Sequence, residues 1–211
     1  MRVAILSESP ADEAAVRVLV EAVLGVATES VGMPLRLRAH GWPSVLHILR
    51  GVLLHLHYHT DADGLVVVAD SNNSPVHPPE EPGPTGSRGP SRLVQLRSAL
   101  ADTRRDLRPV AQRDPLKTAI GLAVPAIEAW LLCGADPNVS EGAWVRGMDE
   151  ERLPYSRNDL KRRVYGTDRP GLVLETRRAV EEARRIAQDI GLLASKFPIG
   201  FGALAGDVRT W

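Results

Sequence analysis

The run Leu65-Val66-Val67-Val68-Ala69 is apolar at every position, mostly β-branched, and stops at Asp70. A strand with no polar alternation is buried on both faces, which points to a parallel sheet covered by helices on each side. Val3-Ala4-Ile5-Leu6 has the same look and stops two residues before Glu8, and Thr118 to Val124 has it again before Pro125 and Glu128. Leu35-Arg36-Leu37-Arg38-Ala39 alternates and predicts a half-exposed strand.

Helical spacing fills the intervals. Asp12 to Leu24 places acids in its first turn, Val16, Leu19, Val20 and Val23 on one face, and Gly25 just past its end. Pro43 opens a second helix that carries Val45, Leu49, Val52 and Leu56. A third is expected from Ser91 to Leu107, and a fourth from Pro125 through Cys133. Strands alternating with helices predict an α/β fold, with a mainly parallel sheet of about four strands in residues 1–133. Residues 134–211 read as a helical C-terminal extension packed on that core, with a long helix over 172–190 and an irregular, glycine-rich tail. The whole is expected to be a single domain, because 211 residues suit one sizeable core better than two. Residues 71–90, rich in proline, glycine and asparagine, read as an unusually long loop.

Charge and composition narrow the class. No apolar run approaches the roughly 18 residues a membrane helix needs. Met1 to Glu8 reads as a buried strand, not a leader peptide. Cys133 is the sole cysteine, which leaves neither a disulfide framework nor a cysteine metal cage. A cytoplasmic, membrane-free location is the expectation. Net charge is zero, so the chain as a whole is not an electrostatic binder of nucleic acid. Its cations are unevenly placed, however. Residues 88–117 hold eight Arg or Lys against three Asp, and residues 157–185 hold nine against five acids. These stretches, including Arg88, Arg92, Arg104 and Arg105, are either solvated helix faces or the wall of a phosphate groove.

Open parallel sheets build their sites outside the carboxyl ends of the strands. Glu8, Asp70 and Glu128 all fall there, with Asn72 and Asn73 on the loop after Asp70. Each acid also has a structural reading, such as an Asx turn at Asp70 or a dipole partner at Glu128. Together they suit a hard cation such as Mg²⁺, which takes oxygen ligands from one or two carboxylates plus substrate phosphate.

The same residues carry a resemblance. Ile5-Leu6-Ser7-Glu8-Ser9-Pro10-Ala11-Asp12-Glu13 resembles the opening of small bacterial Toprim-like proteins. Val66-Val67-Val68-Ala69-Asp70-Ser71-Asn72 is similar to the second Toprim element, a strand ending in Asp-x-Asp. Pro125-Ala126-Ile127-Glu128-Ala129-Trp130-Leu131-Leu132 is similar to a stretch of the RloB-like branch, relatives of the OLD-family nucleases, as is the segment from Lys196-Phe197-Pro198 through Phe201 to Trp211. The resemblance implies a Toprim-like fold, Mg²⁺ (or Mn²⁺) as cofactor, and nuclease chemistry on nucleic acid, in phage or foreign-DNA defence. It assigns Glu8 as general acid/base and Asp70 as a metal ligand, with Asn72 at the second aspartate position; Glu128, read from its place at the same sheet edge, is the further candidate ligand. Asn72 offers a carbonyl oxygen but no charge. The resemblance also implies an ATPase partner, or a homodimer, to supply grip on nucleic acid. A catalytically weak adaptor subunit and a small-molecule phosphohydrolase are the alternatives.

Other motifs carry less. His55 and His59 stand one helical turn apart, but with no acid or cysteine at metal spacing the histidines read as a solvated helix end. Gly83 to Arg88 has the flavour of a phosphate loop without its Gly-Lys-Ser/Thr ending. Trp130 and Trp144 read as core residues.

Overall fold

The computed structural model describes residues 1–76 and 91–211. Four strands, β1 (Arg2–Leu6), β2 (Glu29–Ser30), β3 (Gly64–Asp70) and β4 (Lys117–Ala123), form an all-parallel sheet in the order β2-β1-β3-β4. The helices are α1 (Pro10–Leu24), α2 (Trp42–His59), α3 (Arg92–Asp106), α4 (Ile127–Leu131), α5 (Glu141–Asp149), α6 (Arg157–Tyr165), α7 (Leu172–Ile186), α8 (Ile190–Lys196) and α9 (Ala203–Arg209). Helix α1 and α9 cover one face of the sheet, with α7 laid against α1, while α2 and α3 cover the other. All seven residues of β3 are buried, as its unbroken apolar run requires.

The chain leaves β1 toward β2 on one side, then returns to add β3 on the other. That reversal makes the carboxyl ends of β1 and β3 a topological switch point, where adjoining loops part and leave a crevice. Local signals fix how the chain enters it. Ser9 Oγ accepts the Asp12 N–H at 3.2 Å and starts α1, and Gly25 ends it at φ +71°, where L side chains are disfavoured.

Several expectations are corrected. Leu35–Leu37 is a 3₁₀ turn, and the second strand is the exposed pair Glu29–Ser30. Two residues paired to Arg2 and Val3 need no apolar pattern, so sequence periodicity does not reveal them. The helix after β4 spans Ile127–Leu131, and Pro125 precedes it instead of opening it. The long C-terminal helix stops at Ile186. Beyond it the chain stays helical, through a 3₁₀ turn, α8, a π turn at Pro198–Gly202 and α9, because Leu193, Phe197, Phe201, Leu204 and Val208 are buried in the common core. The end of α2 is solvated at His59, as expected, but not at His57. His57 is buried, with Nε2 2.8 Å from the Arg108 carbonyl, and Arg113 closes the helix by donating to the carbonyls of Leu56, His57, Thr60 and Ala62. Trp130 and Trp144 are core residues. Among the described residues, no helix is long and apolar enough to cross a membrane.

Candidate functional site: an acidic crevice roofed by cations

Glu8 follows β1 by two residues, and its carboxylate turns across the crevice to accept the Asp70 backbone N–H at 2.9 Å. Asp70 is buried at the last position of β3. Its Oδ1 accepts the Ile127 N–H at 3.1 Å, and its Oδ2 accepts from Arg157 Nη2 at 2.7 Å. The first of these bonds ties β3 to α4 and thereby sets Glu128, the next residue, which is 3% exposed. Asn72 lies at φ +50°, a left-handed conformation that asparagine tolerates better than most residues, and its N–H donates to the Pro125 carbonyl. Its Oδ1 is buried without a hydrogen-bond partner.

The structure adds residues that sequence reasoning did not place here. Asp12 in the first turn of α1 reads from sequence as a dipole partner, yet its carboxylate belongs to the cluster, as do Glu175 of α7 and Tyr165 of α6. Lys161 of α6 stands 3.8 Å from Glu128 and 3.8 Å from Glu175. Arg157 and Lys161 lie in the cation-rich 157–185 stretch, which was the only sequence signal for them.

Of the three described arginines among those named from sequence, one reaches the crevice. Arg92 donates to the Asp70 carbonyl at 2.7 Å, lies 3.7 Å from Glu8 Oε1 and covers the Trp42 ring at 4.8 Å. Arg104 donates to the Leu116 carbonyl, near the amino end of β4, and Arg105 pairs with Asp102 on the surface. Twelve residues of helix separate Arg92 from Arg104, about 18 Å. Arg88 and the Gly83 to Arg88 motif lie outside the described residues.

Crowding these acids raises their proton affinity. Burial first, and then the charge of Glu128, pushes the Asp12 carboxyl from an ordinary 3.8 up to about 7. Asp70 is pushed well above its ordinary value by burial, then by Glu128, Asp12 and Glu8, against the opposing pull of Arg157. Glu128 is raised by burial, opposed by its backbone hydrogen bond and by Lys161 and Arg157. The Tyr165 hydroxyl is raised too, by burial and then by Glu128, Asp12, Glu175 and Asp70.

A carboxyl whose folded pKa exceeds its unfolded one holds its proton more tightly in the folded chain. Its contribution therefore favours folding below the unfolded value near 4 and is lost as pH climbs through the folded value, near 7 for Asp12. Without divalent ions, the melting temperature should fall between pH 5 and pH 8. Asp12→Asn should recover about 2 kcal/mol at pH 8, roughly 4–8 °C in a chain of this size, and little at pH 4. Melting curves across that range check it; equal effects at both ends would show that Asp12 is not electrostatically strained.

The donors are all oxygens, with the orphaned Asn72 Oδ1 and the repelling carboxylates among them, which is the chemistry of a hard-cation site. Among the described residues, no group of three or more His, Cys, Asp or Glu side chains is already arranged to hold a metal. Arg157 and Lys161 sit among the carboxylates instead. Comparison with protein-family models, with curated proteins and with solved structures finds no match to this chain.

Proposed function

We propose that the chain is a Toprim-like protein that performs Mg²⁺-dependent phosphodiester cleavage on nucleic acid. One observation carries the reading: Glu8 and Asp70, from the two strands that flank the switch point, meet through a 2.9 Å hydrogen bond. Sixty-two residues apart in sequence, they converge where α/β sheets place their ligands.

Asp70, Glu128 and the Asn72 carbonyl would hold the ion, with Mn²⁺ as a substitute. When bound, such an ion supplies charge neutralisation at a phosphoryl oxygen and a more acidic water. Glu8 lies beside Asp70 and serves as the group that moves a proton. Arg92, Arg157 and Lys161 give the crevice a cationic roof suited to a phosphate, although the chain as a whole is neutral. Stronger grip on nucleic acid falls to an ATPase partner or a second copy of the chain.

A second reading, a catalytically weak adaptor, draws on Asn72, which brings no charge to the position where the Toprim pattern has an aspartate. One experiment separates them. Calorimetric titration with Mg²⁺ and Mn²⁺ should be paired with cleavage assays on single- and double-stranded DNA and RNA. Asp70→Asn keeps an acceptor for the Ile127 N–H and removes the charge, so the fold is retained while ion binding and cleavage are expected to vanish. Cleavage that survives in Asp70→Asn would sink the proposed site. Wild type that neither binds the ions nor cleaves, while still binding nucleic acid, favours the adaptor.

A further inference from the structure

We infer that Arg157 is the substrate-phosphate residue of this crevice and is exchanged between Asp70 and the phosphate, so that cation and anion binding reinforce each other. The inference rests on the reading of the acidic crevice as a cation site, and adds which residue links that site to substrate.

The three cations differ in how firmly they are held. Arg92 is fixed on three sides, by the Asp70 carbonyl, the Glu8 carboxylate and the Trp42 ring, and its side chain is 16% exposed. Lys161 is shared between two carboxylates and is 27% exposed. Among the described residues Arg157 has one side-chain acceptor, Asp70 Oδ2, with its side chain 42% exposed and its Nε buried without a partner. Its backbone, by contrast, is anchored at the first position of α6, where Ser156 and Asp159 form a reciprocal capping box. A fixed root and a long side chain with one contact make a group that can turn outward without disturbing the helix.

Asp70 explains why it would turn. Its Oδ1 is committed to the Ile127 N–H, so Oδ2 is the oxygen left for a cation, and Arg157 is bonded to that oxygen. A guanidinium and a divalent ion compete for the same oxygen and repel each other. The guanidinium leaves for the nearest strong acceptor, and a phosphate matches its planar fork in two-pronged fashion. The crevice also retains an unused donor: Tyr165 is 4% exposed, its hydroxyl has no partner, and the charges of Glu128, Asp12, Glu175 and Asp70 act on it. An unpartnered hydroxyl buried among carboxylates costs the fold stability and marks a place where a further group belongs.

The exchange has an unusual signature. Arg157→Gln removes a competitor, so calorimetry with Ca²⁺ or Mn²⁺ alone should show divalent-ion affinity raised about tenfold, whereas loss of a structural support would lower it. A twelve-residue single-stranded oligothymidylate, titrated with Ca²⁺ present to suppress cleavage, should bind the variant about tenfold more weakly. Ca²⁺ should strengthen oligothymidylate binding to wild type several-fold and to Arg157→Gln by a smaller factor, because the direct ion–phosphate attraction remains and the release of Arg157 does not. If wild type binds the ion and Arg157→Gln binds it equally or less tightly, the exchange is wrong while the cation site stands. If wild type binds no divalent ion at millimolar concentration, the cation-site reading falls and takes the exchange with it.

Discussion

Gly200→Ala should cost this fold several kcal/mol, enough to lower the melting temperature by at least 10 °C. A Cβ on Gly200 would lie far inside van der Waals contact with the Leu122 carbonyl oxygen, and 3.2 Å from Glu141 Oε2. Neither neighbour is free to give way. Leu122 is in β4, hydrogen-bonded along its length to β3, and the Glu141 carboxylate accepts the N–H groups of Ile199 and Gly200 at 3.0 and 2.8 Å. The π turn would have to lift off the sheet, pulling at Phe197 and Phe201 and leaving a buried carboxylate with fewer donors. Of a total stability of about 5–15 kcal/mol, such a loss is a large share. Gly206 in α9 offers the opposite control. It is exposed, nothing lies near a Cβ there, and Gly206→Ala should stabilise by about 0.5–1 kcal/mol through helix propensity. Urea melts of the two variants test the contrast; similar midpoints would mean that the turn does not press on β4.

Glu128→Gln should reduce turnover about 100-fold or more while leaving the fold intact or slightly more stable. The substitution keeps shape and burial, so its effect is electrostatic. With Asn72 bringing no charge, Glu128 is the acid that completes the negative charge beside Asp70, and Lys161 at 3.8 Å balances it. Removing its charge relieves the repulsion that burdens Asp70 and Asp12, which favours stability, and would weaken the hold on the cation proposed there, which would oppose the proposed function. Asn72→Asp should do the reverse. Aspartate also tolerates the left-handed backbone at that position, so the added charge is the main change. It should lower the melting temperature in chelator and tighten divalent-ion binding about tenfold. Turnover and melting curves measured on the same preparations check both. Turnover unaffected by Glu128→Gln would remove that residue from the site. Cleavage gained only in Asn72→Asp would mark the natural chain as an adaptor.

Elements whose signals are local are readable from the order of residues alone. Burial on both faces demands unbroken apolar runs, so β1, β3 and β4 were legible, and with them Glu8 just beyond β1 and Asp70 at the end of β3. Capping is a matter of three or four residues, so Gly25 marked the end of α1, whereas its start lies at Pro10, two residues before the expected Asp12. Where the determining contact is distant, the same reading misled. Leu35 to Ala39 alternates like a strand but pairs with no strand among the described residues, while Glu29 and Ser30 pair with β1 although nothing in their side chains says so. Glycines around residue 200 suggested an irregular tail, because the requirement Gly200 meets is a close approach to β4, made about eighty residues earlier in the chain. The crevice divides the same way. Glu8 and Asp70 were readable because strand ends and topology place them. Asp12 was visible only as a helix-start acid, and its role follows from α7 docking on α1 and bringing Glu175 and Tyr165 with α6 to the same crevice. Arg157, eighty-seven residues from its partner Asp70, was one cation among many until tertiary packing selected it. Local free-energy differences choose helices and strands, but only closing the long loops between them decides which charges must share a buried space.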